Sequence, residues 1–193
     1  MKNFNAIKDY VFNELSNLDP KLRYHARTHT FEDVLPNSII LAREENLSEE
    51  ETCIVTTAAL FHDIGFLDQY DKNEPMGANR ARHTLPEFGY SNSQIDQIVD
   101  CILATQVPQN PKTKLAKIVC DSDLCSLGSD NCFLRAEMLR LELIDVKGID
   151  LPLKTWFQSQ VRFFESHQYW TESAKKKYGE TKQKNISQMK ELL

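Results

Sequence analysis

The chain has 193 residues, 41% of them hydrophobic, and a formal net charge of −5 at pH 7. That is enough material for one sizeable core and gives no reason to expect two, so a single domain over 1–193 is expected. No apolar run reaches the eighteen or so residues of a membrane span, and the N-terminus has an amphipathic helical pattern without the apolar stretch of a secretory leader, which points to a cytoplasmic protein with no membrane partner.

Taken in chain order, Phe4, Ile7, Val11, Phe12, Leu15 and Leu18 recur at helical spacing until Asp19-Pro20 breaks the pattern, which predicts a packing helix over 3–18. Residues 21–34, KLRYHARTHTFEDV, follow as a second helical stretch. In it His25 and His29 lie four apart and share a face, a spacing suited to a metal site as well as to a solvated surface. Pro36 marks a kink or a restart before Ile39, Ile40 and Leu41. Ser48 and Glu51 form a capping-box pattern at the head of the central helix, 52–66, which is apolar on nearly every face and is therefore read as buried all round. Its last turn carries His62 and Asp63, and Gly65 is expected to take the left-handed conformation at the helix end. A carboxylate delivered into an apolar interior needs a partner, either a basic side chain or a bound metal ion.

Residues 68–77 read as a polar loop beside the His62-Asp63 end, a route for a substrate, and 76–88 as a short helix carrying Arg80, Arg82 and His83 and ended by Pro86 and Gly89. Ser91 or Ser93 caps a helix with Ile95, Ile98, Val99, Ile102 and Leu103 on one face, closed by Pro108 and Pro111. The run 114–127 sets Asp121 and Asp123 among Ile118, Val119, Leu124 and Leu127, so that one carboxylate caps the next segment while the other binds metal. Two amphipathic stretches, 133–146 and 152–170, supply core or homodimer contact through Trp156, Phe157, Phe163, Phe164 and Trp170. No chemistry is expected beyond Gly128. In 171–193 six Lys against three Glu leave the preceding residues at −8, a body that repels a nucleic-acid backbone, and the row Lys175, Lys176 and Lys177 reads as a solvated helix face. The five cysteines, odd in number and without a CxxC pair, look like reduced core thiols. No alternating strand pattern and no repeat occurs, so the expected fold is all-α.

The order His29, then His62-Asp63, then Asp123, on successive helices, resembles the HD superfamily of metal-dependent phosphohydrolases, named for its H…HD…D ligand order. The resemblance covers about residues 20–130, with 131–193 as C-terminal helices. YHARTHTFEDV looks like the YHNxxHxxDV signature of the cyclic-nucleotide phosphodiesterases in that superfamily. VCDSDLCSLG looks like the DADxLxxLG segment of its small bacterial members, as does 74–105 with LPEFGYS and ILAT. This likeness implies a single-domain helical bundle of the HD type. It also implies one divalent ion (Mn, Fe, Co, Ni, Mg or Zn) held by His29, His62, Asp63 and Asp123, a set that leaves positions free on a six-coordinate ion.

Asp123 is chosen over Asp121 because the family's ligand immediately precedes the Leu-containing stretch. The implied activity is hydrolysis of a phosphomonoester or phosphodiester, in a nucleotide or related small molecule, by metal-activated water oriented by Asp63 or Asp123. His25 matches the position that protonates the leaving group. The sequence departs from the patterns at Ala26, where phosphodiesterases have Asn, and at Asn73, where small relatives often have His, which weakens the case for a second metal. Arg80, Arg82, Lys114 and Lys117 are available either to grip a phosphate or to make ordinary surface pairs. Two other readings follow from the same residues. One is a metal-binding sensor or scaffold with little turnover. The other is an HD-type di-iron oxygenase, which would need further ligands from His83 or His167.

Overall fold

The computed structural model describes residues 4–193, and among these no strand occurs. Its α-helices are α1 (Phe4–Glu14), α2 (Leu35–Glu44), α3 (Glu49–Phe61), α4 (Asn73–Thr84), α5 (Asn92–Ala104), α6 (Lys114–Asp123), α7 (Cys132–Lys147), α8 (Leu153–Ser166) and α9 (Glu172–Glu191). The all-α expectation is met. Among the described residues no helix is long and apolar enough to cross a membrane.

The central helix, α3, begins at the capping box: Ser48 Oγ accepts from the Glu51 N–H at 3.3 Å, and the Glu51 carboxylate accepts from the Ser48 N–H at 2.9 Å. Every residue from Ile54 to Phe61 is buried, because α1, α2, α5 and α6 pack around it and leave no face for solvent. Burial on this scale contributes roughly 1.5–3 kcal/mol for each large apolar side chain. Ser91, not Ser93, caps α5, with Gln94 completing a second capping box. A smaller apolar cluster of Leu124, Leu127, Phe164, Ile186 and Met189 ties α8 and α9 to the end of α6.

Three local expectations are corrected. Residues 21–34 are not one helix. His25 lies in a bend, and a π-helical turn spans His29–Val34 before α2 continues. Such a widened turn inserts a residue and re-aims side chains, and it recurs at functional sites. Here it begins at His29 and leads into α2, with His25 in the bend before it. Second, the chain past Asp71 is not loop as far as Gly77, because α4 starts at Asn73 and accommodates Pro75 in its first turn, where no helical N–H is needed. The tail forms α9 with the expected solvated face, Lys175, Lys176 and Lys177 being exposed, while Ala174, Tyr178, Asn185, Ile186 and Met189 are buried on its other side.

Gly65 is the third correction. It has no left-handed φ, a conformation found at Gly89 and Gly148 instead. It is required for space: a Cβ on Gly65 would lie 1.9 Å from the Asn73 carbonyl oxygen and 2.7 Å from the Gly77 nitrogen. Both obstacles are backbone atoms of α4, so neither can swing aside. Gly65→Ala is therefore expected to cost about 3 kcal/mol or more and to lower Tm by roughly 6–12 °C for a chain of this length. Gly179→Ala, where a Cβ meets nothing within 4 Å, should instead stabilise by about 0.5–1 kcal/mol through helix propensity. Thermal unfolding of the two variants checks the pair, and equal effects would contradict the close approach.

Candidate metal centre

The end of α3, the π-helical turn and the end of α6 converge on one point. His29 Nε2 lies 3.2 Å from Asp123 Oδ1 and 3.9 Å from Asp63 Oδ2. His62 Nε2 lies 3.1 Å from Asp63 Oδ2 and 3.6 Å from Asp123 Oδ1. Ligand atoms bonded to one divalent ion at ~2.1 Å stand ~3.0–3.4 Å apart at tetrahedral or octahedral angles, so the spacing fits a shared cation. His29, His62 and Asp123 form a group whose ligand atoms all fall within 4.8 Å of one another. Asp63 closes on the two imidazoles from the side.

Two further features suit a cation. His62 Nε2 and Asp63 Oδ2 are buried and, although 3.1 Å apart, neither makes a hydrogen bond of acceptable geometry among the described residues, a costly state that a bound ion would relieve. The far side of each imidazole is tied so that Nε2 faces inward. His62 Nδ1 donates to the Ala59 carbonyl at 2.8 Å, and His29 Nδ1 faces Asp33 Oδ2 at 3.4 Å. Asp33 is itself paired with Arg135 of α7 at 2.5 Å. Carboxylates and carbonyls behind histidine ligands fix the tautomer and raise basicity in this way.

The electrostatics follow from the crowding. Burial opposes a charge on His29, but its contacts with Asp123 and Asp33 outweigh that and push it up to about 10. Burial acts likewise on His62, and Asp63 beside it raises it. Burial would lift Asp63, but the neighbouring His62 holds it well below the usual carboxylate range. Without a cation the cluster therefore stores protons. The charge on His29 then contributes stability that is complete below its unfolded value of 6.5 and is lost as pH rises to about 10. A divalent ion needs neutral imidazoles. Its binding at pH 7 is thus expected to expel about one to two protons, with affinity rising with pH. Titration calorimetry in buffers of different ionisation enthalpy reads this number, and a value of zero would refute a two-imidazole site.

His25, from the bend before the turn, stands beside the cluster with its ring centroid 6.3 Å from that of His29. It stacks on Phe66 at 4.3 Å. Its Nδ1 meets Glu142 Oε1 at 2.5 Å. Glu142, fully buried on α7, also accepts from the backbone N–H groups of Tyr24 and His25 at 2.8 and 3.1 Å and from the Tyr70 hydroxyl at 2.9 Å. Burial alone would raise Glu142, but the bonds from His25 and the two amides keep it lowered and ionised. The expectation of no chemistry beyond Gly128 is thus overturned: α7 holds both His25 and, through Arg135 and Asp33, His29. Nothing in the local sequence marks Glu142, which reads as one more charge on an amphipathic helix.

The paired aspartates separate. Asp121 turns away and accepts from the Trp170 and Thr171 N–H groups, both at 2.8 Å, and from the Thr171 hydroxyl at 2.7 Å, anchoring the start of α9. Asp123 faces the cluster. The cations considered for phosphate are engaged elsewhere: Arg80 with Asp68 and Glu14, Arg82 with Asp96, Lys114 with Glu45. None of these, nor Lys117, lines the cavity of about 390 Å³ that opens beside the cluster, whereas His25, Asp63, Asp123, Asn73, Glu74 and Arg135 do. Among the alternatives, His83 bonds the Asn79 carbonyl within its own helix, and His167 packs on Tyr169.

Comparison with solved structures decides the fold. A predicted HD superfamily hydrolase from an uncultured Thermotogales bacterium superposes with a TM-score of 0.68 at 19% identity, over 98% of this chain and 90% of that one. The fold is that of the HD superfamily. YpgQ of Bacillus subtilis, whose crystal structure is a complex with ADP, matches this chain with a TM-score of 0.69 at 19% identity, over 97% of it and 92% of YpgQ. No protein-family model matches the sequence. Nor does any curated protein match it significantly.

Proposed function

We propose that this HD-type chain is a metal-dependent phosphohydrolase that cleaves a phosphomonoester or phosphodiester in a nucleotide or related small molecule. The observation that carries the reading is the convergence of His29, His62, Asp63 and Asp123, with orphaned buried ligand atoms, at the floor of an open cavity next to a histidine that is oriented but is no part of the ligand group. A divalent ion held there supplies a Lewis acid for a phosphoryl oxygen and lowers the pKa of a water.

The chain's own residues do the rest. Asp63, kept ionised, accepts a hydrogen bond from the attacking water and aims it. Glu142 accepts a hydrogen bond from His25 Nδ1–H and stacking on Phe66 fixes the ring plane, so the imidazolium form of His25 carries a second proton on Nε2, and this is the proton that passes to the leaving oxygen. That a related fold has been crystallised with ADP supports a nucleotide as substrate. A sensor without turnover would have no use for His25 held this way. The test is a screen of the protein, loaded in turn with Mn²⁺, Fe²⁺, Co²⁺, Ni²⁺, Mg²⁺ and Zn²⁺, against nucleotides, cyclic nucleotides and phosphorylated metabolites. Release of phosphate or of a nucleotide product supports the reading, and silence with every metal and ester overturns it.

A further inference from the structure

The cavity beside the metal cluster extends well past the ligands, and its far wall is built by α7 and α8 from Leu139, Leu143, Trp156 and Phe163. A volume of about 390 Å³ falls in the range of small-molecule sites. Three polar side chains of these helices line the cavity as well, and two of them are engaged: Arg135 pairs with Asp33, and the Ser159 hydroxyl donates to the Trp156 carbonyl at 2.7 Å. The third, Gln160, is only 9% exposed, yet its amide makes no hydrogen bond among the described residues. Asn185, 4% exposed, spends its amide on the Leu127 and Ser129 carbonyls at 3.0 Å each. An idle amide in a nearly buried position is uncommon, because such groups find partners inside the protein or in a ligand.

The wall narrows the ligand's chemistry. An alkyl chain would cover the apolar surface but leave both halves of the amide desolvated and unpaired. A bare sugar would press hydroxyls against Leu139, Leu143 and Phe163. A flat heteroaromatic ring does neither: its faces suit aromatic and aliphatic side chains, and its edge sets a donor beside an acceptor, the pattern that a planar amide matches in pairs. We propose that the α7–α8 wall is the base-binding subsite of a nucleotide, with Gln160 reading the edge of the base while the phosphate lies at the metal cluster. This rests on the phosphohydrolase reading for the placement of the phosphate only.

Binding measurements test it without turnover. AMP, GMP, CMP, UMP and ribose 5-phosphate are titrated calorimetrically into the full chain as purified, the last being the same phosphate and sugar with no base. At least one nucleotide should bind about ten-fold more tightly than ribose 5-phosphate, and Gln160→Met, which keeps the volume, should remove roughly 3–10-fold of that advantage while leaving ribose 5-phosphate unchanged. Gln160→Glu, an acceptor only, should move preference toward GMP, whose edge carries adjacent donors. Equal affinities for nucleotides and ribose 5-phosphate in the wild type would overturn the subsite, and so would an equal loss on both in Gln160→Met. A base-dependent affinity that Gln160→Met removes, in a protein that hydrolyses no ester with any metal, would overturn the hydrolase reading and leave the subsite standing.

Discussion

Asp123→Ala is expected to lose the bound ion and all metal-dependent turnover, with affinity for the metal down by about 10²-fold or more, while Asp121→Ala keeps both. The two carboxylates are two residues apart at the end of one helix, yet only Asp123 faces His29 Nε2, at 3.2 Å. Losing a direct ligand should cost more than the 10–100-fold typical of an outer-shell partner. Asp121→Ala strands the Trp170 and Thr171 N–H groups, each 2.8 Å from its carboxylate, and should cost roughly 2–4 kcal/mol in stability as α9 loses its anchor. Elemental analysis of protein prepared without chelator, together with denaturant unfolding, separates the two effects. Full metal occupancy in Asp123→Ala, or no metal in the wild type, would refute the ligand assignment.

His25→Ala should do the reverse: keep the ion and lose roughly 10²–10⁴-fold in kcat/KM, the scale of general-acid catalysis. The defect should shrink for esters with a good leaving group such as a nitrophenolate, because a stable anion needs little protonation in the transition state. Glu142→Gln should follow the same leaving-group trend with a smaller loss, roughly 10–10³-fold, since the ring keeps its place but its tautomer is no longer imposed by a carboxylate 2.5 Å from Nδ1. A loss uniform across leaving groups would remove His25 from proton transfer. His29→Ala, by contrast, should lose metal and activity together.

The helical class was legible in the residues themselves. Apolar periodicity and two capping boxes are local properties, and Ser48-Glu51 and Ser91-Gln94 sit in the structure where the pattern puts them. The candidate metal cluster was legible in part for a related reason. A histidine or aspartate in an apolar run is costly wherever it occurs, so His62, Asp63 and the 121–123 pair announce a demand for partners before any contact is known. Burial cost alone could not say which aspartate met which demand, and the choice of Asp123 comes from the family resemblance. That depends on how α6 ends, where the direction in which each side chain leaves the last turn sends Asp121 to α9 and Asp123 to the cluster.

What only the tertiary structure decided are contacts between segments far apart in the chain. Glu142 lies 117 residues from His25, and Arg135 steadies Asp33 from the same helix, but each looks like ordinary solvated charge on α7 when only the sequence near it is in view. Gly65 is the converse case. Its neighbours suggested a helix-ending conformation, whereas the requirement came from the α4 backbone passing where a Cβ would stand. Propensity, periodicity and burial cost act through neighbouring residues and could be read in order along the chain. The orientation of His25, the idle amide of Gln160 and the room left at Gly65 arise where helices cross, and only folding sets those crossings.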